Sequence, residues 1–185
     1  PDAALNTRHS LAKIYQRQGS PGKQAEIWRK AYRAANLFQK RDIIKLLSAA
    51  LIEAGQPEEA VAAEFDLLAL ETDLAQRRKL LEGQISTARA HGLIEELENR
   101  YGTLMRQHPF DSFYAEAMAR VLIAANKGAD AFAAMKKAYY LSDERDDLIV
   151  ELARLAEQEG DLSGAVFYHR KRMARAETGP GDDPE

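Results

Sequence analysis

Apolar and small residues recur along the chain at three- and four-residue steps, and Gly, Pro, Asn or Asp falls between the runs. That period sets one apolar stripe on a helix, so the chain reads as helices joined by short turns. First helices are predicted near 5–18, 41–54, 74–91, 110–125 and 144–159, and second helices near 22–38, 57–72, 93–107, 128–141 and 161–177. The pairs share one spacing: a small or apolar pair, a residue three later, a Gly or Asn four after that, then anchors at steps of five, four and three. Leu47-Ser48, Leu51, Gly55, Ala60, Glu64 and Leu67 form one copy; Leu11-Ala12, Tyr15, Gly19, Gln24, Trp28 and Ala31 form the copy before it. The turn residues Gly19, Gly55, Gly92, Asn126 and Gly160 stand 36, 37, 34 and 34 apart. A period of that size is the mark of stacked helical hairpins.

The turns carry their own physics. Gly19, Gly55, Gly92 and Gly160 suit the positive φ at a helix C-terminus, Pro57 suits a first helical turn, and Asp143 and Asp161 are candidate N-caps. Small residues at Ala12, Ser48, Ala119 and Ala153 let the partner helix approach. Larger ones at Trp28, Leu51, Tyr101, Leu122 and Met135 fill the layer between hairpins. With each large apolar side chain contributing about 1.5–3 kcal/mol on burial, a lone hairpin cannot offset its ordering entropy, whereas stacked neighbours can.

The spacing resembles the signature of the tetratricopeptide repeat (TPR) family: Leu and a small residue, then Tyr, Gly, Ala, a large apolar residue, Ala and often Pro, the last slot met by Pro109. The resemblance covers about residues 5–177. Departures are Gln24 in an Ala slot, Ile85 in a small-residue slot, and His169 and Arg172 where Phe or Tyr and Ala are expected. The resemblance implies an all-α fold, a right-handed α-α superhelix of about five hairpins. It implies a single array over 1–177, with repeats at about 5–40, 41–77, 78–111, 112–145 and 146–177, and a disordered tail at 178–185. The fifth copy reads as a terminus, because His169 and Arg172 wet the face that another hairpin would use. The first copy has no evident cap, so further repeats or another domain are expected upstream.

Composition narrows the class. The 185 residues carry a formal net charge of −3, and 45% are hydrophobic. The pI near 5.9 argues against a whole-surface attraction to nucleic acid. No run approaches the roughly 18–20 apolar residues of a membrane span, and the absence of cysteine excludes disulfides and thiolate zinc sites. The chain opens at Pro1 without a leader and so reads as an excised or processed piece. Its Ala content and its excess of Arg over Lys suggest a GC-rich bacterial source, with periplasm and cytoplasm both open.

No catalytic constellation emerges. No strand-turn-helix elbow surrounds a Ser, the glycines punctuate helices rather than cradle a phosphate, and His9, His91, His108 and His169 lie far apart. Glu58-Glu59 and Glu95-Glu96 sit in first turns, where negative charge complements the helix dipole. Asp143, Glu144, Asp146 and Asp147 lack the Gly and terminal Glu of an EF-hand. The expectation is therefore a chain without enzyme activity, cofactor or metal.

Two charge asymmetries stand out. Six acids (Glu58, Glu59, Glu64, Asp66, Glu71, Asp73) lie between Ala54 and Gln76 without a Lys or Arg, and His169, Arg170, Lys171, Arg172 and Arg175 cluster on the last helix. They are either solvated faces or, at the basic end, a place for an acidic partner or another copy to dock.

In TPR proteins the first helices line a concave groove, and the resemblance carries that role to an outward stripe here. Its candidate partner-binding residues are Lys13, Arg17, Lys45, Ile52, Lys79, Glu82, Arg89, Phe113, Glu116, Arg120, Ile123 and Arg154. Ile52, Phe113 and Ile123 would be exposed apolar anchors, unless a one-step shift in register returns them to the core. Lys13 and Lys79 partly resemble the clamp some TPR modules use for a terminal carboxylate, but Leu46 and Gly83 stand where that clamp needs Asn and a basic residue. A helix or extended segment of another protein is the expected ligand, with no nucleic acid. Ala-rich arrays of this kind look like TPR segments of bacterial envelope assemblies, including exopolysaccharide export. The alternative is a peptide- or ligand-sensing arm of a larger enzyme or transcription factor.

Overall fold

The computed structural model describes residues 2–178, with side chains described from 5 to 176. Its elements are α1 (Asp2–Arg17), α2 (Pro21–Ala34), α3 (Leu37–Glu53), α4 (Pro57–Leu68), α5 (Leu74–His91), α6 (Ile94–Gln107), α7 (Ser112–Ala124), α8 (Gly128–Leu141), α9 (Asp146–Gln158) and α10 (Leu162–Thr178), with no strand among the described residues. They form two compact units, α1–α5 up to Leu93 and α6–α10 from Ile94. Within each unit consecutive helices pack against one another.

The hairpin turns are built as the spacing predicts. Gly19, Gly55, Gly92 and Gly160 adopt φ of 62°, 74°, 73° and 75°, and Asn126 takes the same conformation at 59°. At Gly92 the left-handed residue caps α5 through its N–H to the Ala88 carbonyl, which closes the helix where a β-branched side chain would clash. Pro57 opens α4. The Asp161 carboxylate accepts from the Gly164 N–H at 2.9 Å and so caps α10.

Some boundaries differ from the expectation. The second predicted helix ends at Ala34 rather than 38, because Asn36 starts α3 with a reciprocal capping box to Gln39. Four residues come off the end of α4, which closes at Leu68, and Asp73 caps α5. Asp143 is not a cap: it and Glu144 turn the chain at φ of 54° and 58°, and α9 starts only after Arg145. Thr178 ends α10 instead of opening a tail, and residues 179–185 of that expected tail lie outside the described residues.

Each unit has its own core. In the first, Ala12 and Ser48 admit their partner helices while Trp28, Leu47, Leu51 and Leu67 fill the layer, all nearly solvent-free. In the second, Ala119 and Ala153 play the small part, with Tyr101, Met135, Tyr139 and Leu152 the large one. His169 and Arg172 are exposed on α10, but so are Leu162, Val166, Phe167 and Met173. The last face is mixed, not simply wetted.

Candidate partner-binding surface

The surface is built by the first helices, whose core-facing positions fix what is left outside. Lys13 and Arg17 on α1, Lys45 on α3, and Lys79, Glu82 and Arg89 on α5 are exposed, and Ile52 is half-buried against the first core. The structure brings two of these cations together: Lys45 and Lys79 line one cavity of about 200 Å3 between α3, α4 and α5, over an apolar wall of Ile44, Leu67 and Leu80.

The floor of that cavity is polar. The Glu71 carboxylate has no exposed side-chain surface and takes two hydrogen bonds from Arg41, at 2.7 and 2.8 Å. That bidentate pair holds the Glu71 carboxyl below its ordinary range, against burial. Beside it, Glu64 accepts from the Ser48 hydroxyl at 2.9 Å, and its second oxygen is buried without a hydrogen-bond partner. Burial pushes the Glu64 carboxyl from 4.5 up to about 7, with the Ser48 bond opposing it.

Sequence reasoning missed this pair, although the signal was there. Glu64 occupies the slot filled by Trp28, Tyr101 and Met135 in other copies, each buried. Ser48 occupies the slot filled by Ala12, Ala119 and Ala153. An acid in a layer position, facing a hydroxyl in the small position of the same hairpin, is a buried hydrogen bond written in the repeat register.

A pH dependence follows. The unfolded chain loses the Glu64 proton near 4.5 while the folded chain keeps it to about 7. Stability conferred by the neutral form is therefore complete below 4.5, falls as pH rises through this window, and is level above it. The fall is on the order of 3 kcal/mol. Urea unfolding at pH ~5 and pH ~8, either side of most of that fall, checks this: Glu64→Gln should flatten the decline, and an equal decline in that variant would contradict the assignment.

In the second unit the expectation needs correction. Phe113 is only 1% exposed and Glu116 0%, so neither stands on an outward stripe. The stripe is covered there because Arg145, at the N-cap of α9, reaches over α7 to the Glu116 carboxylate at 2.8 Å, while Arg120 holds its other oxygen at 3.1 Å. Phe113 packs edge-on against Tyr114 with ring centres 5.5 Å apart. Ile123 is half-buried against the second core, and Arg154 is half-buried and bonded to Glu151 and Gln158.

The charge asymmetries are partly neutralised within the units. Glu59 pairs with Arg29 and Glu71 with Arg41. On the last helix His169 meets Glu157, Lys171 meets Glu144, and Arg175 meets Glu144 and Asp146. Among the described residues no group of three or more His, Cys, Asp or Glu is placed to hold a metal, and no helix is long and apolar enough to cross a membrane.

The sequence matches no protein-family model, and no curated protein matches it. Solved structures do. Residues 41 to the end of MamA from Desulfovibrio magneticus RS-1 are similar at 14% identity, over 96% of this chain and 98% of that one, with a TM-score of 0.54. A tetratricopeptide repeat protein from Parabacteroides merdae is similar at 16% identity and a TM-score of 0.52, over 97% of this chain and 68% of that one. The thermophilic TPR protein TTC0263 of Thermus thermophilus gives 18% identity and a TM-score of 0.52, over 96% of this chain and 92% of that one. With its hairpin turns, its small-against-large layers and these likenesses, the chain is all-α and has the fold of the tetratricopeptide-repeat proteins.

Proposed function

We propose that the chain is a non-enzymatic scaffold that binds another protein on the exposed faces of its first helices. The observation that carries the reading is the surface of α3 and α5, where Lys45 and Lys79 flank an apolar-walled cavity and neither is in an ion pair among the described residues. Helical hairpins are rigid, so such a surface is preorganised and loses little freedom on binding. The Ala-rich character of the hairpins supports an envelope assembly, such as exopolysaccharide export, as the setting.

Co-purification from the native host tests the reading with two charge-matched triple variants. Lys13→Glu, Lys45→Glu and Lys79→Glu alter first helices, and Lys23→Glu, Lys30→Glu and Arg33→Glu alter α2. A partner released by the first set and retained by the second is the expected result. Identical partners with both sets would overturn it.

A further inference from the structure

The cavity between α3, α4 and α5 is unlike an ordinary packing gap in three ways. Its volume of about 200 Å3 lies below the roughly 300–1,000 Å3 of pockets that enclose whole drug-sized ligands, which suits a single side chain. Glu64, 8% exposed, lines it with a carboxyl oxygen that meets no hydrogen-bond partner. A buried polar atom left so carries a penalty of about 1–3 kcal/mol, and because that oxygen is closed to solvent it belongs to the wall of the cavity.

The third is charge. Of the ionisable groups lining the cavity, Arg41 and Glu71 neutralise each other in their bidentate pair, and burial keeps the Glu64 carboxyl protonated up to about pH 7. Lys45 and Lys79 remain, both exposed and both outside any ion pair among the described residues. The other acids of the same helical stripes, Asp42 and Glu82, do not line the cavity. The site therefore offers an apolar wall and two cations for whatever chain enters.

Resting on the scaffold reading, we propose that this cavity is the anchor site for an acidic segment of the partner protein: one apolar side chain enters against Ile44, Leu67 and Leu80, and flanking Asp or Glu side chains meet Lys45 and Lys79. The apolar anchor supplies most of the affinity, as buried central contacts do. The lysine pairs supply orientation and speed of encounter.

Gly83 provides a clean block. It lines the cavity within α5, its backbone is helical, and a Cβ built there meets nothing within 4 Å. Gly83→Leu therefore occupies the cavity without straining the helix, and leucine is the better helix former.

The test is selection of random phage-displayed dodecapeptides on the full chain. Enriched sequences are then synthesised with amidated C-termini and titrated by fluorescence anisotropy. The expected result is an apolar residue flanked by Asp or Glu, with affinity weakened at least about tenfold by Gly83→Leu and by Lys45→Glu with Lys79→Glu, at unchanged circular dichroism. Amidation should leave affinity intact. Four outcomes overturn the proposal: no enrichment, enrichment without acids, equal binding to Gly83→Leu, or binding that needs a free terminal carboxylate. If any of these occurs while a host partner still depends on first-helix charges, the scaffold stands and the anchor fails.

Discussion

Phe113→Ala is expected to destabilise the second unit by about 3–5 kcal/mol. The ring is 1% exposed on α7, edge-on to Tyr114, which in turn stacks on His108 at 5.0 Å. Truncation removes the buried ring and leaves a cavity that close-packed helices refill only partly. A conservative Phe113→Leu should lose less, because it keeps most of the apolar volume. Urea unfolding followed by circular dichroism reads the difference. A groove-facing ring would behave as a surface residue and cost within about 0.5 kcal/mol, so a near-silent alanine variant would return Phe113 to the binding stripe.

The second large effect concerns Glu116, whose carboxylate is fully buried between Arg120 and Arg145. Taking away one partner of a buried pair costs about 3–5 kcal/mol, since a charge remains without its counter-charge. The two arginines are 31% and 22% exposed and can be rehydrated, whereas Glu116 cannot. Removing both guanidiniums strips two counter-charges from a buried carboxylate and should cost up to about 3 kcal/mol, and Glu116→Gln distinctly less. Each single Arg→Ala leaves the other guanidinium in place, so the double variant should exceed the sum of the singles. Simple additivity with a total under about 1 kcal/mol would show that the arginines are surface decoration.

How much of this is legible in the sequence follows from the range of each interaction. Turns are local: positive φ at Gly19, Gly55, Gly92 and Gly160 and the Asp161 cap depend on neighbours within a few residues, and the spacing finds them. The break between α2 and α3 is local too, but Leu37 and Phe38 continue the apolar period past Asn36 and hide it. Both side chains turn out exposed, at 36% and 73%. Coverage of a helix face is not local. Periodicity gives the apolar stripe of α7, yet the arm that covers its flank comes from Arg145, 29 residues from Glu116. The cavity in the first unit stands between these cases: Lys45 and Lys79 are readable as an outward stripe, and Glu64 as an acid in a layer slot. Their meeting at one cavity needs the packing of three helices.

The most direct test of the central claim, that first-helix faces hold a partner protein, is photo-cross-linking in the native host. A photoreactive amino acid would be placed at Lys79 on α5 or, as a control, at Lys23 on α2, both exposed. A discrete adduct with one other protein from Lys79 and none from Lys23 is the predicted result. An adduct from Lys23 alone, or none from Lys79, would contradict the account.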